Sequence, residues 1–135
     1  MTHLIEARLL DKTLQIEVWD SANDETKYDG IKRWVIQKID ESGIGEIDTI
    51  NSELHLEFAL MFDYKAKESD VCHFCRCYAF NRWLSRLYKD GYLKRSRRSF
   101  GDHGWPGDGF PNWWYSYGVN PYYDKQRKAQ QNDTD

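Results

Sequence analysis

Strict alternation marks the first stretch of the chain. Ile5, Ala7 and Leu9 share one side of an extended segment, Leu14, Ile16 and Val18 one side of the next, and Asp11-Lys12 forms a turn between them. Period two with Ile, Val and Trp predicts a β-hairpin over residues 4–19, with a short helix through Glu6-Ala7-Arg8-Leu9-Leu10 as the competing reading. The period then changes. Tyr28, Ile31, Val35 and Ile39 recur at intervals of three and four, the apolar stripe of a helix from about Asp24 to Glu41 that Ser42-Gly43 ends. Residues 44–50 supply one short strand. A second helix spans Ser52 to Tyr64, capped by Asn51 or Ser52, with Leu54, Phe58, Met61 and Phe62 as its buried face.

The third helix is predicted from Ser69, its N-cap, to Asp90. At about 100° per residue, His73, Cys77, Phe80, Leu84, Leu87 and Tyr88 fall on one face, and Cys75, Tyr78, Arg82, Arg86 and Lys89 on the other. Gly91 stops it and is expected at positive φ, where a side chain is strained. Tyr92 to Arg98 reads as a strand, residues 100–112 as a Gly- and Pro-rich loop, and Trp113 to Val119 as the returning strand. The domain map that follows is an N-terminal hairpin (1–22), one α+β domain (23–121) and a polar, disordered tail (122–135).

Composition changes the picture in two places. The net charge of −3 argues against a polyanionic partner, but its distribution reverses that: residues 1–70 carry −8, residues 71–98 carry +7, and residues 99–135 carry −2. A local field, not the net charge, steers a polyanion. Aromatic residues make up 16% of the chain and crowd its end, with Trp105, Trp113, Trp114, Tyr115, Tyr117, Tyr122 and Tyr123 all beyond residue 100. No apolar run approaches the length of a membrane span, and the first residues lack the basic-then-apolar pattern of a secretory signal. The expectation is a cytoplasmic protein with reduced thiols and no membrane partner.

The densest signal is Leu84-Ser85-Arg86-Leu87-Tyr88-Lys89-Asp90-Gly91-Tyr92-Leu93-Lys94-Arg95, followed by Trp114-Tyr115-Ser116-Tyr117-Gly118. This resembles the winged-helix superfamily in the style of MarR-like and PadR-like regulators, over roughly residues 26–119. The resemblance implies a winged helix-turn-helix fold, three helices plus a β-hairpin wing over 92–119, with the N-terminal hairpin as an addition. It implies that helix 69–90 enters a major groove, with Arg82 and Arg86 meeting base edges or phosphates and Tyr78, Ser85 and Lys89 beside them. Lys94, Arg95, Arg97 and Arg98 would reach phosphates from the wing. The wing loop is longer than usual for that superfamily and nearly uncharged at its tip, where Trp105 or His103 could touch sugar or a protein. The arginines sit late in the helix, whereas family members read bases with the N-terminal half.

Cys72-His73-Phe74-Cys75-Arg76-Cys77 invites a zinc reading, but one helix directs Cys72 and Cys75 outward and His73 and Cys77 inward, and no second ligand pair exists. Exposed Cys72 or Cys75 beside Arg76 would be the alternative, a redox-sensing thiol. No phosphate loop, nucleophile elbow or metalloprotease motif is present, and Asp102, His103 and Asp108 in the glycine-rich loop read as solvated groups. The expectation is therefore a non-enzymatic transcription regulator without cofactor or metal, binding double-stranded DNA as a homodimer. The competing function is a protein-interaction or assembly module using the aromatic wing, with RNA binding third.

Overall fold

The computed structural model describes residues 3–9, 12–19, 25–68, 74–99 and 113–133. They form an α+β protein with four helices and a small antiparallel sheet, in the order β1 (His3–Leu9), β2 (Lys12–Val18), α1 (Lys27–Glu41), β3 (Glu46–Asp48), α2 (Ser52–Phe62), β4 (Lys67–Glu68), β5 (Cys75–Arg76), α3 (Tyr78–Lys89), β6 (Leu93–Ser99), β7 (Trp113–Val119) and α4 (Pro121–Asp133). The N-terminal hairpin is present as expected, its register pairing Ile5 with Ile16 and Ala7 with Leu14.

Local chemistry sets the first helices. Thr26 caps α1 by accepting from the Asp29 N–H at 3.1 Å, satisfying a donor that the first turn leaves unpaired. The predicted stripe holds: Ile31, Val35 and Ile39 are buried, joined by Trp34 and Ile36. Asn51 caps α2 by accepting from the N–H groups of Glu53 and Leu54. That helix ends at Phe62, two residues short of the expected Tyr64, because Asp63 takes a left-handed conformation. Its buried face is His55, Phe58, Ala59 and Phe62, with Leu54 and Met61 only partly covered. Trp34 stands edge-on to Phe58, Phe62 and Phe80 at 5.6, 6.1 and 6.0 Å, which fixes the helices around one aromatic centre. Leu84 and Leu87 of α3 and Leu93 of β6 close the core from below.

The sheet has the order β3-β7-β6, all antiparallel. β3 covers only Ser116 to Gly118, while β6 pairs along all of β7, from Leu93 opposite Val119 to Ser99 opposite Trp113. The outer part of β6–β7 is therefore a two-stranded ribbon. Gly91, at φ +92, turns the chain from α3 into β6, as its position predicts.

The third helix departs from expectation. It begins at Tyr78, not at Ser69, and its N-cap Cys77 is extended at φ −113, ψ 108. The backbone N–H of Cys75 donates to Ser52 Oγ at 2.8 Å and that of Cys77 to His55 Nδ1 at 2.9 Å. Two side chains of α2 thus capture donors that a longer helix would have used internally, and β5 pairs with β4 instead. Cys75 is buried rather than outward-facing, and Tyr88, expected in the core, is 37% exposed. The predicted cap Ser69, and Cys72 and His73, lie outside the described residues, as does the loop 100–112 with His103 and Trp105.

The C-terminal segment is also a correction: where composition predicts a disordered tail, α4 forms. Asn120 Oδ1 accepts the Tyr122 N–H at 2.9 Å, Pro121 occupies the first helical position, and Asp124 pairs with Lys128 one turn on. Arg127 bridges Asp40 of α1 with both terminal nitrogens at 3.0 Å, and Tyr123 packs edge-on to Tyr92 at 4.9 Å. The N-terminal hairpin is anchored through Trp19, whose N–H donates to the Met61 carbonyl and whose indole donates to Glu25. That indole lies against Gly30, where an added Cβ would meet Trp19 Cδ1 at 2.8 Å. Among the described residues, no helix is long and apolar enough to cross a membrane.

Candidate nucleic-acid interface

On α3, the buried residues Ala79, Phe80, Leu84 and Leu87 leave an opposite stripe open to solvent. Tyr78, 59% exposed, starts it, and Arg82, Arg86 and Lys89 continue it, with Ser85 partly covered between them. The sequence reading placed these five residues together, and the structure brings them onto one face. Arg82 and Lys89 form no ion pair among the described residues. Arg86 is held: its guanidinium lies 4.8 Å from the Tyr28 ring centre and 4.9 Å from that of Trp83, with Asp90 at 3.9 Å. Tyr28 itself donates to Asp90 at 2.5 Å, and burial together with that carboxylate pushes its hydroxyl pKa well above the usual tyrosine value. Arg86 thus joins α3 to α1 as well as facing solvent.

The four cations of β6 divide between two faces, because side chains alternate along a strand. Arg98 pairs with Glu46 of β3 at 2.8 Å, on the same side as Lys94. Arg95 and Arg97 point the other way, toward α3. Arg95 lies between the rings of Tyr88 and Tyr115, 4.1 and 4.2 Å from their centres. Arg97 lies 4.5 Å above Trp113. Trp113, Tyr115 and Tyr117 stack edge-on in sequence at 5.2 and 6.0 Å. The result is a ladder of arginines and aromatic rings, in which quadrupoles rather than carboxylates order the cations. Sequence reasoning named the arginines and missed their partners. Alternation of Arg95 and Arg97 against Trp113, Tyr115 and Tyr117 was the available signal.

Between this ladder and α3 runs an open groove of about 500 Å³. Asn81 and Ser85 of α3 form one side, and Arg95, Tyr115, Tyr117 and Trp113 the other. Arg76 of β5 closes one end, its guanidinium stacked near Phe74 and Tyr78 at 5.5 and 5.7 Å. No carboxylate among the described residues lines it. Asp48 braces the wall from behind, accepting hydrogen bonds from Trp114 Nε1 at 3.0 Å and from Ser116 Oγ. A second, smaller cleft beside Arg82 and Arg86 is floored by Tyr64 and Trp83, whose indole donates to the Tyr64 hydroxyl at 2.9 Å.

The two described cysteines do not form a site. Cys75 and Cys77 are free and buried, and burial raises both thiol pKa values, the opposite of an activated sulfur. This overturns the redox reading at Cys75. No cluster of three metal-ligating side chains occurs among the described residues. His55 is fully buried, and its role is structural: Nε2 donates to the Thr49 carbonyl at 2.6 Å while Nδ1 accepts from Cys77. Compared with known families, curated proteins and solved structures, the chain has no match.

Proposed function

We propose that this is a winged-helix DNA-binding protein, a transcription regulator that sets α3 in the major groove and the β6–β7 hairpin, as the wing, along the backbone. The element order α1, β3, α2, α3, β6, β7 and the strand order β3-β7-β6 support the winged-helix reading. The observation that carries the function is the set of cations presented by two neighbouring elements, Arg82 and Lys89 of α3 and Arg95 and Arg97 of the hairpin. Within a chain of net charge −3, these four have no carboxylate partner among the described residues. Guanidinium and ammonium groups presented this way attract phosphates, and an arginine fork can also match guanine O6 and N7.

The test is fluorescence anisotropy with a random-sequence duplex, titrated between about 50 and about 300 mM salt. Binding should weaken linearly in log salt, because each neutralised phosphate releases counterion. Arg82→Ala with Lys89→Ala should weaken binding and flatten the slope by about 2, if each contacts one phosphate. Arg86 is left in place because its removal would also unstack Tyr28 and Trp83. Undiminished binding by the folded double variant refutes the α3 assignment. No duplex binding at low salt favours the protein-docking alternative, with exposed Trp113 as the residue to probe.

A further inference from the structure

β6 forms one edge of the sheet, and its outer side pairs with no strand among the described residues. Two bonds fix which backbone groups lie there. The Tyr92 carbonyl accepts from the Asn120 N–H at 2.9 Å, and the Tyr115 carbonyl from the Thr49 N–H at 3.1 Å. An antiparallel ladder turns successive residues to opposite sides. Lys94, Ser96 and Arg98 therefore direct their N–H and C=O groups to β7, and Arg95, Arg97 and Ser99 turn theirs outward. None of these three makes another backbone hydrogen bond among the described residues. Arg97 and Ser99 are exposed, and Arg95 is half-buried. Natural edge strands are commonly blunted by bulges, prolines or short length. β6 has none of these: its seven residues pair one to one with β7, and no proline interrupts Leu93–Ser99. Its one protection is charge, with Lys94, Arg95, Arg97 and Arg98 and no acid.

We propose that the outer edge of β6 binds an extended acidic peptide segment by strand addition, as a fourth strand of the sheet. Main-chain bonds to Arg95, Arg97 and Ser99 hold it, and carboxylates two residues apart stand opposite Arg95 and Arg97. Charge decides the occupant. A second copy of β6 laid antiparallel on the first, in the register that pairs the whole strand, sets Arg95 against Arg97 and Lys94 against Arg98. Like charges directly opposite destabilise a strand pair, whereas glutamate or aspartate at alternate positions turns the same contacts into attraction. Rings rather than acids hold Arg95 and Arg97, so an incoming carboxylate displaces no ion pair among the described residues. Arg98 is engaged by Glu46 on the other face. A nucleic-acid strand offers no row of amide donors for the outward carbonyls. Because β6 also carries the wing cations, a segment seated there would keep a duplex from the wing. That consequence rests on the DNA-binding reading; the binding itself does not.

The experiment uses the full chain, without DNA, and fluorescein-labelled peptides of alternating glutamate and threonine, read by anisotropy at low salt. The glutamate peptide should bind, and one with lysine in place of glutamate should not. Strand addition uses every second amide of the incoming segment. N-methylation of one alternate set of peptide residues should therefore weaken binding by at least about tenfold, and of the other set hardly at all. On the protein side, Arg97→Gln removes a charge, and Arg97→Pro removes the outward N–H as well while sparing the bonds to β7. The proline variant should bind more weakly than the glutamine variant by about threefold or more; if it does not fold, the methylated peptides carry the test on the wild type. No binding of the glutamate peptide overturns the proposal. So does an equal loss from both methylated sets, which would mean attraction by charge without strand pairing. Peptide binding by a chain that fails to bind duplex refutes the regulator reading and leaves this one intact.

Discussion

His55 joins two parts of the chain that local sequence does not connect, and replacing it tests the account of where α3 begins. In His55→Phe the ring still packs against Phe74 and Phe80, now 5.6 and 4.9 Å from the imidazole. The Thr49 carbonyl and the Cys77 N–H lose their partner. Each buried group left unpaired costs roughly 1–3 kcal/mol, so the variant should lose about 2–6 kcal/mol. Acid provides an independent check. Burial, with the positive charge of Arg76 adding to it, holds the His55 pKa below the ordinary imidazole value. Below about pH 6.5 the unfolded chain takes up a proton that the folded chain refuses, so folding stability falls by up to about 1.4 kcal/mol per pH unit from this group until the folded pKa is passed. Above that range the contribution is fully present. Urea denaturation followed by tryptophan fluorescence, at steps from about pH 7.5 to about pH 5, should show the gap between wild type and His55→Phe shrinking with acid. A gap independent of pH, or one that widens, refutes the neutral buried imidazole. If the Phe variant does not fold at neutral pH, His55→Gln carries the same pH comparison.

Two further expectations rest on packing. Leu84→Ala, at a position with no solvent exposure, should cost roughly 2–5 kcal/mol in the same denaturation assay; a cost near zero would show that the α3 stripe has the wrong phase. Arg127→Ala should release α4 from Asp40, seen as faster amide exchange over 121–133 with a global loss of about 1 kcal/mol or less, since the pair is partly exposed. Unchanged exchange would show that Tyr123 alone docks the helix.

Elements whose causes are local were legible. The α1 stripe, the Asn51 cap, the Gly91 turn and the two long strands of the hairpin follow from spacing and turn chemistry within a few residues. The start of α3 was not legible. Phe74, Cys77, Phe80 and Leu84 continue a helical period, and the competing acceptors, Ser52 and His55, lie 23 and 22 residues away. Tyr88 was misplaced because it sits at the margin of the apolar arc, where the β6–β7 ribbon draws it toward Arg95. For α4 the start signal was present in Asn120-Pro121, but the partner that holds the helix, Asp40, is 87 residues distant. At the site, the exposed cations of α3 could be read by helical phase. The division of the β6 cations between two faces was readable from alternation, whereas the groove depends on tertiary packing that no single segment encodes.

The way Arg95 and Arg97 are held has a kinetic consequence for an anionic ligand. A carboxylate beside each would order it equally well, as Glu46 orders Arg98, but would cancel its charge at a distance. Aromatic rings restrain the guanidinium and leave its monopole intact. Arg95 and Arg97 therefore still contribute to the long-range field that accelerates encounter, while their restricted motion limits the entropy surrendered once contact is made. Removing the rings would leave the encounter rate largely as it is and shorten the lifetime of the complex; removing the arginines would reduce both.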